Sequence, residues 1–162
     1  MSKKIRNTTV INAGVKELAE FLQSKDFNLK KGDATHAKSS KFTTSQTDDS
    51  ITTELIRDFE RELPEIVQNF LGNQISVTER FVWSEDFTAA KVIIEIKNAP
   101  ISISGNLSLL PKNSSTELVL DLEISASLPF FGEKIENFAE KTWNDISAIE
   151  FMLIETAFKR QA

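Results

Sequence analysis

The chain has 162 residues, with 19 Lys plus Arg against 24 Asp plus Glu for a formal net charge of −5, no Cys, no Tyr and one His. Without Cys there is no thiolate nucleophile, no Cys-ligated zinc and no iron–sulfur cluster, and redox chemistry by the protein's own side chains is not expected. The acidic balance argues against nucleic-acid binding, which needs a basic face to displace counterions from phosphates. At roughly 100 to 200 residues per domain the length predicts one domain spanning 1–162, able to bury about two thirds of the surface its unfolded chain exposes.

At the amino terminus, Lys3, Lys4 and Arg6 are followed by Asn7, Thr8 and Thr9. A signal peptide would continue into an apolar run of about 7 to 15 residues. The most apolar stretch near the other end, 146–154, is broken by Glu150 and falls well short of the roughly 18 apolar residues of a spanning helix. The expectation is a soluble cytoplasmic protein with no integral membrane segment.

In chain order, residues 5–11 read as a strand ending at Asn12, whose side chain suits the cap of a following helix. Val15, Leu18, Ala19 and Leu22 then recur at helical spacing and predict a short helix over 13–24. Lys25, Lys30, Lys31, Lys38 and Lys41, offset by Asp26 and Asp33, read as a solvated loop, with an anion-binding patch as the alternative. Residues 30–50, rich in Lys, Ser, Thr and Asp, predict a loop plus a polar edge strand.

From Ser50 the period changes to two. Ile51, Thr53, Leu55, Arg57 and Phe59 alternate with polar neighbours in a half-buried strand. Residues 61–71 suit a short helical connection, with Pro64 near its first turn and Gly72 ending it. Ile75, Val77, Glu79, Phe81 and Trp83 share the next strand's apolar face, and Ser84, Glu85 and Asp86 make a turn. Val92, Ile94 and Ile96 mark a further strand, stopped by Asn98, Ala99 and Pro100. Ile101, Ile103, Leu107 and Leu109 follow, and Pro111 to Ser115 supplies turn chemistry. Gly105, inside that strand, predicts a bulge or the close approach of another backbone segment. The longest alternation puts Leu118, Leu120, Leu122, Ile124, Ala126 and Leu128 on the core side, with Val119, Asp121, Glu123, Ser125 and Ser127 facing water.

Amphipathic strands joined by short turns imply a mainly antiparallel sheet with one wet face. Residues 130–159 supply the cover: Ile135, Phe138, Ala139, Thr142, Ile146, Ile149 and Leu153 follow helical spacing, and Trp143, Phe151, Ile154 and Phe158 widen the stripe. A helix of about 28 residues would be about 42 Å long. It could cross a whole sheet. Most of the 12 Phe and 2 Trp fall on these apolar faces.

The order strand, short helix, antiparallel strands and one long terminal helix resembles the helix-grip architecture of the START-like superfamily. Two segments sharpen the likeness: Ala99-Pro100-Ile101-Ser102-Ile103-Ser104-Gly105, and Leu128-Pro129-Phe130-Phe131-Gly132-Glu133-Lys134-Ile135-Glu136 where the long helix begins. Both resemble an uncharacterised, largely actinobacterial branch of that superfamily, with Glu133 where relatives often have a second Gly. The resemblance covers nearly the whole chain and implies an α+β fold with a curved sheet wrapped around the long helix. It carries over no functional residue. These motif residues have structural explanations: Pro129 suits an early helix position, and Glu133 and Glu136 lie near the positive end of the helix dipole.

Reactive groups are sparse. His36 stands in a polar stretch with no metal-site or nucleophile pattern around it and reads as a surface residue. Asp48 with Asp49, and Glu85 with Asp86, are adjacent carboxylates in turns and make poor acid/base partners. The five Gly residues are too scattered to form a phosphate-cradling loop. Arg57 and Glu79 are the anomaly, because each occupies an apolar-face position in its strand, where an unpaired buried charge is costly. If their strands are neighbours, the two can pair directly or diagonally across the ladder. Two readings stand: strand ends or a bulge let them reach water, or they form a polar spot in a cavity that orients a carboxylate, carbonyl or hydroxyl of an apolar ligand.

The expected function is non-catalytic binding of a small hydrophobic or lipid-like molecule between sheet and long helix, the partner class that the START-like resemblance implies. The expected cavity residues are Leu55, Arg57, Glu79, Phe81, Trp83, Ile94, Phe138, Thr142, Ile146 and Ile149. No catalytic residue, metal ligand or cofactor is expected. Two alternatives are a protein-interaction or chaperone-assisting module with a filled core, and a cyclase- or hydrolase-like enzyme. The residues specify no oligomeric state.

Overall fold

Each period-two segment buries one face and pairs antiparallel with its neighbours, so the strands build a single sheet. A computed structural model describes residues 2–60 and 63–159. The strands are β1 (Ser2–Ile11), β2 (Ser39–Gln46), β3 (Ile51–Glu60), β4 (Gln74–Trp83), β5 (Ala89–Ile96), β6 (Ile101–Lys112) and β7 (Ser115–Ala126). The helices are α1 (Val15–Leu22), α2 (Lys25–Ala34), α3 (Glu65–Leu71) and α4 (Gly132–Ala157). The sheet order is β1-β7-β6-β5-β4-β3-β2. From β2 to β7 the chain is a meander, and β1 returns to pair with β7 from Ser2↔Ser125 to Ile11↔Thr116. Helix α4 packs against β1 and β7, burying Ile135, Ala139, Trp143, Ile146 and Ile154 toward the sheet. This is the expected α+β helix-grip arrangement, with the core between sheet and α4.

Gly105 is required by close backbone approach. A Cβ there would sit 1.8 Å from the backbone oxygen of Asp121 on β7. The β6–β7 register runs without interruption from Ile101↔Ala126 to Lys112↔Ser115, so the bulge alternative falls away.

Several expectations change. Residues 25–34 are not a loop: they form α2, capped by Ser24, whose hydroxyl accepts from the Phe27 amide. Asn12 does not cap α1. Gly14 holds that position, and Asn12 Oδ1 accepts from Ser115 Oγ instead. Helix α4 begins at Gly132, so Pro129 precedes it, followed by Phe130 in the left-handed region at φ 68°. Glu136 is buried, and its Oε2 accepts from the Ala126 amide at 2.9 Å, tying the end of β7 to the first turns of α4. Pro111 lies within β6, and the turn is confined to Asn113 and Ser114, with Asn113 at φ 56°. Val119, on the outer face, is buried between Thr8 and Ser108 of the flanking strands. Of the connection expected over 61–71, Arg61 and Glu62 lie outside the described residues. The remainder contains α3, ended by Gly72 at φ 71°.

Candidate functional site

The inward stripe of α2 is unusual because it is polar. Phe27, Asn28, Lys31 and Gly32 are its buried residues, and Thr35, which caps its end, is buried with them, at the spacing of one helical face. Asn28 Nδ2 donates to the carbonyls of Leu22 and Ser24, fixing the joint between α1 and α2. Gly32 lets the helix lie close on β2, since a Cβ there would meet Ser40 Oγ at 1.9 Å. Together these contacts aim Lys31 into the interior.

There it meets Arg57 and Glu79. In the β3–β4 ladder Arg57 faces Val77 and Leu55 faces Glu79, so the two charges are diagonal neighbours. Arg57 Nη2 donates to Glu79 Oε2 at 2.8 Å and Lys31 Nζ donates to Glu79 Oε1 at 2.6 Å. Arg57 Nη1 donates to Glu150 Oε1 at 3.1 Å and to Thr35 Oγ1 at 3.3 Å. Side-chain exposure is 0 % for Arg57, 3 % for Glu79, 5 % for Lys31 and 13 % for Glu150. The reading in which Arg57 and Glu79 reach water is therefore overturned. In this cluster of two cations and two carboxylates mutual pairing offsets part of the cost of burying them, and Arg57 Nε is left without a partner among the described residues. Burial opposes ionisation of Glu79, but the Lys31 and Arg57 charges outweigh it and hold its carboxyl below the usual range. Burial pushes the Glu150 carboxyl up; the nearby Glu79 charge adds to the rise, and Lys31 and Arg57 offset only part of it.

The cluster separates two apolar cavities. The first, of about 80 Å³, lies between α3, α4 and the β3 to β6 region, and its wall includes Phe59, Val77, Ile103, Phe138, Thr142 and Ile146. Phe70 also lines it and is exposed at its outer end, where its ring meets that of Phe131 at 6.4 Å between centroids. The second, of about 40 Å³, is bordered by Phe27, Lys31, Phe81, Trp83, Glu150 and Phe151, among others. The partition is visible along single elements. On β4, Val77 lines the first cavity, Glu79 belongs to the cluster, and Phe81 and Trp83 line the second. On α4, Ile146, Glu150 and Ile154 repeat that order at four-residue spacing.

Of the ten expected cavity residues, Phe138, Thr142 and Ile146 therefore line one space, and Phe81 and Trp83 the other. Leu55 and Ile94 are buried but border neither, Arg57 and Glu79 are taken up by each other, and Ile149 is exposed on α4. Lys31 and Glu150 complete the cluster; the sequence reads Lys31 as solvated or part of an anion-binding patch, and Glu150 only as a break in an apolar run. The break that Glu150 makes in the 146–154 apolar run was the available signal.

The other reactive groups sit apart. His36 is exposed, at φ 62° just past α2. Asp86 accepts from the Thr88 amide and hydroxyl and from Ser84 Oγ, and the Thr88 amide bond is the foremost contact lowering its carboxyl pKa. Among the described residues no group of three or more His, Asp or Glu side chains gathers as a metal centre, and no helix is long and apolar enough to cross a membrane.

Similar folds occur in solved structures at low identity. The aromatase/cyclase ZhuI from Streptomyces sp. R1128 superposes with a TM-score of 0.71 at 10% identity, over 99% of this chain and 95% of that one. A protein from Thermus thermophilus gives 0.66 at 12% identity over 95% of each chain. A START superfamily protein from Mycobacterium smegmatis gives 0.62 at 13% identity, over 95% and 98%. At such identities the likeness establishes the START-like fold. No curated protein sequence matches the chain. Residues 6–156 match the model of the family described as "Protein of unknown function (DUF2505)", and the chain belongs to that family.

Proposed function

We propose that the protein, acting as one domain, binds a small hydrophobic molecule without transforming it, in the first cavity between sheet and α4. The observation that carries this reading is the cavity's wall. Among its described lining residues, Thr142 and Trp143 alone bring polar side-chain atoms, and the rest is aliphatic and aromatic carbon. Such a surface attracts an apolar molecule through burial, at about 25 cal/mol per Å², and holds no titratable acid or base beside the Thr142 hydroxyl to activate it as a nucleophile. Its volume of about 80 Å³ is below the roughly 300 to 1,000 Å³ of pockets for drug-sized ligands. A molecule of one ring fits directly, and a longer lipid-like chain requires α3 and Phe70 to move outward. The fold neighbours named as aromatase/cyclase and START proteins are compatible with a small-molecule partner.

Native mass spectrometry of gently purified protein, followed by incubation with a panel of monocyclic hydrocarbons and lipids, tests the proposal. A retained or acquired adduct of one molecule per chain is expected. A persistently unmodified mass across the panel contradicts it. The alternative of a protein-interaction module draws on Phe130, 97 % exposed beside Phe131, and a reproducible protein partner captured with no small molecule bound would favour it.

A further inference from the structure

The second cavity differs from the first in having charged side chains, Lys31 and Glu150, in its wall. Trp83 is 2 % exposed, and its indole Nε1 is buried with no hydrogen-bond partner among the described residues. Leaving a buried N–H unpaired carries a cost of about 1 to 3 kcal/mol. Lys31 lines the same space. An ammonium has three N–H donors, and Glu79 takes one of them at 2.6 Å; Glu150 stands at 4.0 Å, beyond hydrogen-bond reach. The Lys31 ammonium also lies over the rings of Phe27 and Phe81, at 5.4 and 5.5 Å from their centroids. Phe81 stacks on Trp83 with centroids 6.4 Å apart. The side chain that carries an unpartnered indole N–H and a lysine with donors to spare thus line one small space, whose other walls are apolar except for Glu150.

Both groups donate, so the matching ligand atom accepts. Its charge follows from the cluster, in which Lys31 and Arg57 already balance Glu79 and Glu150. A third carboxylate would be buried without compensation, which is costly. A neutral oxygen meets no such penalty. We propose that the second cavity is a binding site for a small neutral carbonyl compound, a ketone, ester or amide on an apolar body, whose oxygen accepts from Trp83 Nε1 and Lys31 Nζ. The volume of about 40 Å³ corresponds to about three waters at roughly 10 to 15 Å³ each, which limits the group held there to a few heavy atoms. This goes beyond the reading of the first cavity and stands whether or not that cavity is occupied.

The two tryptophans separate the sites experimentally, because Trp143 lines the first cavity and Trp83 the second. In ¹H–¹⁵N spectra of the intact chain the two indole N–H signals are assigned with Trp143→Phe, and the protein is titrated with acetone, isobutane and acetate, which share one size and shape. Acetone is expected to move the Trp83 indole proton downfield in a saturable manner, with isobutane shifting it little. Trp83→Phe, which keeps the aromatic wall, is expected to weaken acetone binding about three- to tenfold, the loss of one neutral hydrogen bond. An unmoved Trp83 signal, an equal response to the hydrocarbon, or tighter binding of the carboxylate would each overturn the proposal. Movement of the Trp143 signal alone would overturn it while leaving the first-cavity reading intact.

Discussion

Arg57 Nη2 lies 2.8 Å from Glu79 Oε2 although neither faces the other in the β3–β4 ladder, where their partners are Val77 and Leu55. The diagonal contact lets two long side chains meet at full burial, and Lys31 and Glu150 close the cluster from α2 and α4. Four elements, α2, β3, β4 and α4, are thereby tied at one point between the two cavities.

Removing the centre of this cluster leaves two buried cations, Lys31 and Arg57, facing one carboxylate, Glu150. Glu79→Ala is expected to cost about 3 to 5 kcal/mol of stability, the range for breaking a buried pair from one side. Arg80→Ala removes contacts to Glu54 and Glu95 on the partly exposed face of β4 and is expected to cost under about 1 kcal/mol. Urea denaturation of both variants checks the contrast, and similar midpoints would show that the cluster has no special weight.

The two carboxylates of the cluster carry opposite pH signatures. Glu79 is held below its ordinary range, so the folded state binds fewer protons in that window; its contribution is complete above the ordinary range and is lost as pH falls through the lowered value. Glu150 is raised, so its contribution is present at low pH and is lost as pH rises through the raised value. Stability curves between about pH 3 and 8 are expected to show Glu79→Gln flattening the acid limb. Glu150→Gln is expected to gain on the native protein as pH rises above the ordinary carboxylate range.

Gly105→Ala places a methyl group against backbone, which cannot rotate away. A loss of about 3 kcal/mol or more is expected, at the upper end of overpacking costs. At Gly14 an added Cβ meets nothing within 4 Å, and Gly14→Ala is expected to cost under about 1 kcal/mol as a cap replacement. Thermal unfolding of the pair checks this.

The strands and α4 were legible because their apolar residues keep strict periods, as Leu118 to Ala126 and Ile135 to Ile154 do. Helix α2 was not. Its buried face is Phe27, Asn28, Lys31 and Gly32, with Thr35 at its cap, a stripe that periodicity of hydrophobic residues cannot register because its inward partners are charges. The same circumstance hid half of the cluster. Arg57 and Glu79 stood out against apolar neighbours, whereas Lys31 lay among other lysines and resembled a solvated residue. The aromatic residues are not all core: Phe70, Phe130 and Phe131 are exposed, Phe70 at the first cavity with the Phe131 ring against it. Nothing in their residue type distinguishes them from core.

Filling the first cavity tests the central claim most directly. Ala139 lines it from α4, and Ala139→Leu puts three further carbons into its space. Titration with methylcyclohexane, followed by the Trp143 indole signal, is expected to saturate in the native protein. Binding is expected to weaken at least tenfold in Ala139→Leu, whose unfolding midpoint stays at or above the native value. Absence of saturable binding in the native protein, or equal affinity in the filled variant, would contradict the account.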